Sequence, residues 1–331
     1  MSNYIGNRVG FAVTNAQNDG GIFNIITQFN SIKRQEWFLT TANVTGGLII
    51  PSAPNGYRYH VFTSSGVLQI GAGTTADILI IAGGGGGTSN FYGGGGGAGG
   101  AVIGRSIQIN EGSSIIVTIG QGGPGGNPGA GTSGSPSSFG GVTAIGGGAG
   151  GGFPSPTPGL YGGPGGSGGG GSYYATAGGT AVPQPVPPGY VAYGNPGGAT
   201  QSAAQEGNGG GAGSPGTKIA PGVVVGYGRT FYGFEGPIIS PVLPGPVQPL
   251  ITDPLGVGPT GTWAGGGGGG YSGPELPQSP GGGGRMGGSS TPATPGVQYT
   301  GGGGGGNGYA YPAPGVGGDG GSGIVIVRFI P

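Results

Sequence analysis

Residues Asp77–Ala82 read DILIIA and run without a break into Gly83–Gly87, GGGGG. A short apolar run bounded by turn-forming residues is the pattern of a strand buried on both faces. Glycine-dominated runs then recur at Gly93–Gly100, Gly146–Gly152, Gly162–Gly171, Gly207–Gly213, Gly265–Gly270, Gly281–Gly284 and Gly301–Gly306. A last apolar run, Ile324–Ile330 (IVIVRFI), ends the sequence. The first and last strand groups are expected to pair, because nothing else offers them a sheet. The remainder reads as strands that frame the glycine runs and loops that join them.

Glycine supplies 97 and proline 31 of the 331 residues. Without a period, such a content ordinarily marks a disordered low-complexity chain. Here only 5% of residues are charged while 33% are hydrophobic, whereas disordered segments are charge-rich and apolar-poor. Ordered structure is therefore expected. Each glycine in a regular element costs about 0.5–1 kcal/mol relative to alanine. Backbone hydrogen bonds are the only polar interactions available to offset that cost.

Nine cationic and nine anionic side chains give a formal net charge of zero. With no basic patch, nucleic-acid binding is not expected. So few charges also protect a free monomer poorly in solution, which points to assembly. There is no cysteine, hence no disulfide framework and no thiolate metal site. The segment MSNYIGNRVGFAVTNAQND carries no apolar signal core, and no stretch approaches about 18 apolar residues. Neither conventional export nor membrane insertion is expected.

Residues 1–45 differ in composition and carry few glycines. In Ile22–Gln35, Ile22, Ile25, Ile26, Phe29 and Ile32 fall at helical spacing. The β-branched isoleucines weaken a helix, so a short helix and an extended arm both stay open. The reading divides the chain into a docking segment, 1–45, and a glycine-rich domain, 46–331. Strands are expected mainly over 46–145 and 322–331, with loops and glycine rods over 146–321. The strand candidates are Leu48–Pro51, Tyr57–Thr63, Gly66–Ile70, Ala101–Ile109, Ser113–Gly120 and Val142–Ile145. Asn110-Glu111-Gly112 signals a hairpin between two of them. The longest loops are Thr176–Glu206 and Thr217–Thr262.

Collagen does not account for the glycine runs, because it needs glycine at every third position and no more. Stacked silk-like sheets need a Gly-Ala alternation that is absent. What remains is a bundle of left-handed threefold helices packed side by side. Polyproline-II backbone makes no internal hydrogen bonds, so its N–H and C=O groups point sideways at neighbouring helices. A helix surrounded by neighbours has no room for a Cβ. At about 3.1 Å per residue, a five-to-seven-residue run spans roughly 15–20 Å, the length of an ordinary strand.

DILIIA entering polyglycine, followed by AVIG, IQINEGSSIIVTIG, SSFGG, GGGAGGG and a closing GGSGIVIVRF, resembles the glycine-rich domain of virion proteins from tailed phages. It is similar to the glycine-rich region of the anaplastic lymphoma kinase ectodomain, and to the glycine-rich adhesin at the tip of T-even long tail fibres. The resemblance covers about residues 57–331. It implies an all-β fold: a jelly-roll, tumour-necrosis-factor-like β-sandwich with an inserted polyglycine-II helix bundle and a short N-terminal arm. The kinase departs in carrying a signal peptide and disulfides. GGIFNIITQFNSIKRQEW, through Gln28, Arg34, Glu36 and Trp37, looks like a short docking segment of phage structural proteins. The implied function is a non-enzymatic virion protein, a tail-fibre or tail-tip adhesin recognising a host surface glycan or outer-membrane protein. The alternative is a structural subunit, a head decoration or filament-forming protein. The implied partners are other virion proteins, through residues 1–45, and further copies of the chain in a trimer.

Motifs for chemistry are few. IIAGGGGG after a strand mimics a dinucleotide fingerprint, but a second glycine run follows where a helix is required. No glycine run ends in GK[ST], so there is no P-loop. The only histidine, His60, sits in a strand and is expected to be structural. Asp77, Glu111 and Asp319 border strands or turns without forming a pair. Asn43-Val44-Thr45 fits a glycosylation acceptor but lacks a secretory context. No catalytic residue, cofactor or metal ligand is therefore expected.

The aromatic residues carry more information. Most of the 15 tyrosines lie in the joining loops, where rigid aromatic rings provide contact area at low entropic cost. The candidate receptor contacts are Tyr173, Tyr174, Tyr190, Tyr193, Phe231, Tyr232 and Phe234. The competing role for these rings is to cap the rod ends or contact neighbouring subunits, and composition does not choose between them. The outer faces of the strands at Val61, Leu68, Ile115, Val117 and Val325 look too apolar for water, which favours the trimer.

Overall fold

The computed structural model describes residues 44–89, 93–127, 129–152, 161–173, 175, 177–200, 206–217, 226–254, 256–270, 279–288, 291–308 and 315–329. The helical pattern at Ile22–Gln35, and the docking segment apart from its last two residues, lie outside these. The described residues form sheets linked by glycine-rich segments, with only short helices, so the fold is all-β.

The larger sheet contains β2 (Leu48–Ile50), β3 (Arg58–Phe62), β5 (Thr74–Ile81), β6 (Ala101–Ile109), β10 (Tyr190–Tyr193) and β13 (Ile324–Phe329). Its order is β10-β6-β5-β13-β3-β2, antiparallel throughout. The smaller sheet, in the order β1-β4-β7-β8-β9, contains β1 (Val44–Thr45), β4 (Gly66–Ile70), β7 (Ser114–Thr118), β8 (Ser137–Phe139) and β9 (Val142–Ala144). A two-stranded ribbon pairs β11 (Arg229–Thr230) with β12 (Thr262–Trp263). The last strand, β13, lies between β5 and β3, so the first and last strand groups do meet in one sheet.

β5 is buried on both faces, as its apolar run requires. Ile78 and Ile80 join a core shared with Leu68, Val117 and Phe139 of the smaller sheet. Leu79 and Ile81 join a second core on the opposite face, with Phe231, Phe234, Ile239, Ile251 and Trp263. That third layer comes from residues 229–263, which carry short helices at Gly236–Ile239, Ser240–Val242 and Gln248–Thr252. Trp263 is fully buried, and its indole N–H donates to the Phe234 carbonyl at 3.0 Å.

Three expectations need correction. β6 and β7 do not form a hairpin across Asn110-Glu111-Gly112. β6 pairs with β5 and β10, whereas β7 pairs with β4 and β8, so this turn carries the chain from one sheet to the other. Both sides of each strand are already occupied. The spans Thr176–Glu206 and Thr217–Thr262 are not simply loops, because they contain β10, β11 and the helical layer. The apolar faces that suggested a trimer are also covered within the chain. Val61 packs under the third layer, Leu68, Val117 and Val325 lie between the sheets, and Ile115 is half-buried.

The glycine runs build a second body held mainly through backbone hydrogen bonds. Along 82–89, Ala82, Gly85 and Thr88 donate to Gly100, Gly97 and Gly94; Gly83, Gly86 and Ser89 donate to Ser135, Thr132 and Gly129; Gly84 and Gly87 donate to Gly321 and Gly318. Every third N–H thus points at the same neighbour. The carbonyls repeat the pattern. Those of Gly84 and Gly87 accept from Gly123 and Gly126, those of Gly83 and Gly86 from Gly147 and Gly150, and those of Gly85 and Thr88 from Gly304 and Asn307. This one segment is surrounded by six others.

The segment 93–100 is surrounded in the same way. It donates to 301–307, 145–151 and 207–210 and accepts from 82–88, 167–170 and 267–270. Neighbours run both ways: Gly95 and Ala98 meet Gly207 and Gly210 in parallel, while Gly96 and Gly99 meet Gly304 and Gly301 in antiparallel. A Cβ on Gly95 would overlap the Gly267 carbonyl, and one on Gly304 the Gly318 carbonyl. Lateral carbonyls occupy the space a side chain would need.

Candidate functional site

Asp77 opens the apolar half of β5 at a point where pairing slips. Ala76 faces Ile107 and Ile78 faces Gly104, so Arg105 and Ser106 together oppose Asp77. This is a β-bulge, a device that re-aims side chains, and Ser106 adopts a φ of 50°. The Asp77 carboxylate accepts from the Ser106 N–H at 2.8 Å and from Arg105 Nη1 at 2.9 Å. It also accepts from Arg328 Nε at 2.9 Å and Nη2 at 2.7 Å. Partial burial alone would raise the Asp77 carboxyl, but the Ser106 N–H and the two guanidinium groups outweigh it and hold it below the usual carboxylate range.

This cluster anchors an arch. Arg105 Nη2 donates to the Tyr232 carbonyl at 3.0 Å. The Tyr59 hydroxyl donates to the Gly233 carbonyl at 2.7 Å, and the Gly233 N–H donates to Glu235 Oε1 at 2.7 Å. Arg328 lies over the Tyr57 ring at 4.4 Å and the Phe234 ring at 5.1 Å. Gly233 adopts a φ of +87°, and a Cβ there would strike the Arg328 guanidinium. The backbone on either side of Tyr232 is therefore held in one place while the residue itself is 74% exposed.

The other aromatic candidates are placed differently. Phe231 and Phe234 are buried in the second core. Tyr193 is half-buried between the Arg229 guanidinium, 3.8 Å from its ring centre, and the Phe231 ring at 5.8 Å. Tyr190 is half-buried on β10, against Gly104 of the neighbouring strand. Tyr173 is half-buried, and Tyr174 lies outside the described residues. Tyr232 is the one displayed ring among the described candidates. Sequence reasoning missed the residues that fix it, Asp77, Arg105, Arg328 and Tyr59. Their signal is an opposite-charge pair across strands, visible only once the register is known.

Two other buried titratable groups stand apart from this arch. Glu206 is fully buried, and neither carboxyl oxygen has a hydrogen-bond partner among the described residues. Burial pushes its carboxyl up to about 8. Beside it, Gly207 donates to the Gly171 carbonyl and accepts from the Gly95 N–H. His60 is buried beside β1, with its Nδ1 2.7 Å from the Gly46 carbonyl and its Nε2 without a partner among the described residues. Burial, reinforced by the Arg58 charge, lowers its imidazole below the usual histidine range. Among the described residues, no three His, Cys, Asp or Glu side chains gather closely enough to hold a metal ion.

A family model described as a glycine-rich domain matches residues 63–330. No curated protein matches the chain.

Proposed function

The chain belongs to the glycine-rich domain family, and from that premise we propose that it is a non-enzymatic phage virion protein, a tail-fibre or tail-tip adhesin that meets the host surface. In this reading the glycine segments are left-handed polyglycine-II helices inserted in a jelly-roll sandwich. The three-residue hydrogen-bond period and the exclusion of Cβ atoms support that geometry. The observation that carries the adhesin reading is Tyr232, an exposed ring on an arch held by Arg105, Tyr59 and Glu235. A preorganised aromatic residue loses little entropy on contact. Because the neighbouring charges of Asp77, Arg105 and Arg328 are engaged with one another, stacking on a sugar face or an apolar protein surface suits it better than ionic capture. A trimer would use surfaces other than the covered strand faces.

The alternative, a structural subunit of the head or of a filament, is favoured by the burial of Phe231 and Phe234, which gives those rings a packing role. Immunogold labelling of intact particles and adsorption of a Tyr232→Ser particle separate the two. The adhesin reading expects label at the tail tip and normal assembly. It also expects adsorption to fall at least about tenfold, a loss of about 1.4 kcal/mol. Label on the head or along a shaft, with adsorption unchanged, would establish the structural reading instead.

A further inference from the structure

Segment 291–297 (TPATPGV) lies at the perimeter of the bundle. Thr294 and Val297 donate to the carbonyls of Arg285 and Gly282 at 3.0 and 2.8 Å, and Gly296 donates to Asp319 at 2.8 Å. With a three-residue period, the remaining direction belongs to positions 292 and 295. Both are proline, and both are exposed.

The same arrangement recurs on other perimeter segments. In 121–126, Gly123 and Gly126 donate inward to Gly84 and Gly87, Gly125 donates to the Asp319 carboxylate, and the third direction is shared by Gln121 and the exposed Pro124, which removes one of its two donors. In 195–198, Gly197 donates to Gly179, while Asn195 and Gly198, one period apart, donate to the Ser167 hydroxyl and the Asn208 carbonyl. The third position is the exposed Pro196. In 163–165, Gly163 and Gly165 donate to Ala149 and Thr180, and the exposed Pro164 stands between them. The central segments 82–89 and 93–100 contain no proline, and all three of their donor directions are used.

Proline fixes φ near −65°, which suits an extended threefold segment, and removes the N–H. An unprotected flank of N–H and C=O groups is a template for another chain, as at the edge of a sheet. A flank whose outward donors are deleted offers mainly carbonyls, and a second identical flank would meet it carbonyl against carbonyl. We infer that Pro124, Pro164, Pro196, Pro292 and Pro295 close the lateral hydrogen-bond lattice, so that a second copy of this chain cannot add its segments to the bundle.

The test is the full-length chain carrying Pro124→Gly, Pro292→Gly and Pro295→Gly together, compared by light scattering and sedimentation with wild type and with Pro244→Gly. Pro244 is exposed but sits in the helical layer. The expected result is a mass that rises with concentration beyond the wild-type particle for the triple variant, and a wild-type mass for Pro244→Gly. A folded triple variant that keeps the wild-type mass at every concentration would overturn the inference, as would equal association by Pro244→Gly. A lower melting temperature with unchanged mass would also overturn it, since that is what loss of chain stiffness alone produces. Should the triple variant fail to fold, Pro196→Gly carries the same forecast on a different segment.

Discussion

Arg328 on the last strand stands directly opposite Asp77, 251 residues earlier, and donates both Nε and Nη2 to one oxygen of its carboxylate. The pair does more than join β13 to β5. Through Arg105, which shares the same carboxylate oxygen, it ties the sheet to the arch that displays Tyr232. One acidic side chain thus links the sandwich and the candidate contact residue.

Asp77→Asn should destabilise the fold by on the order of 2 kcal/mol, because two guanidinium groups lose their counter-charge in a part-buried site. The sign with pH follows from the depressed carboxyl. Stability from this group is present above the unfolded value near 3.8 and is lost as pH falls through the lower folded value. Denaturant titrations from neutral to acidic pH should show that acid loss in wild type and a shallower one in Asp77→Asn. Identical acid limbs would remove Asp77 from the account.

Gly95→Val and Gly304→Val should each prevent folding or cost more than about 4 kcal/mol, the range of severe steric substitutions. In both, the new side chain would overlap a neighbouring carbonyl. Gly245→Ala, where no atom lies within 4 Å of the added Cβ, should stay within about 0.5 kcal/mol of wild type. Melting temperatures that do not separate these variants would contradict a bundle packed through its backbone.

Glu206 should make the protein lose stability as pH rises. Its folded carboxyl is pushed up to about 8 from an ordinary value near 4.5. Its contribution is therefore fully present below about 4.5 and is lost progressively towards 8, by a few kcal/mol at most. Glu206→Gln keeps the shape and cannot ionise, so its stability should be flat over that window and exceed wild type at pH 8 and above. A wild-type profile that is equally flat would show that the carboxylate is accommodated.

His60 works in the opposite direction. Its imidazole is held below the ordinary histidine value of 6.5, so stability is present above 6.5 and is lost as pH falls through the folded value. The proton added at Nε2 would have no acceptor, and the Gly46 carbonyl occupies the other nitrogen. Amide exchange of residues 44–47, corrected for intrinsic rates, should accelerate by about tenfold or more between neutral pH and pH 5. His60→Asn, which can still donate to Gly46, should suppress that change.

Much of the fold could be read from local pattern. DILIIA identifies a strand buried on both sides because the five consecutive apolar residues Ile78–Ala82 leave no polar face. Consecutive glycines exclude side chains from the space between segments, and the spacing of Pro292 and Pro295 or of Gln121, Pro124 and Asn127 already carries the three-residue period. The arch was only half legible. Tyr232 stood among the candidates, but so did Phe231 and Phe234, which are equally aromatic and lie two residues or fewer away. Burial separates them, and burial depends on how residues 229–263 fold back over β5 and β13.

The amino-acid sequence by itself determined β2 to β7, β9, β13 and the glycine-rich segments between them, because those properties follow from side-chain sterics within a few residues. Only the tertiary structure decided which rod lies beside which, that β6 and β7 enter different sheets, and that Asp77 meets Arg328. The physical reason is that a glycine carries no side chain to mark its partner. Each N–H in a rod can bond any neighbouring carbonyl equally well, so the register of the bundle is set at its ends by the strands that feed it.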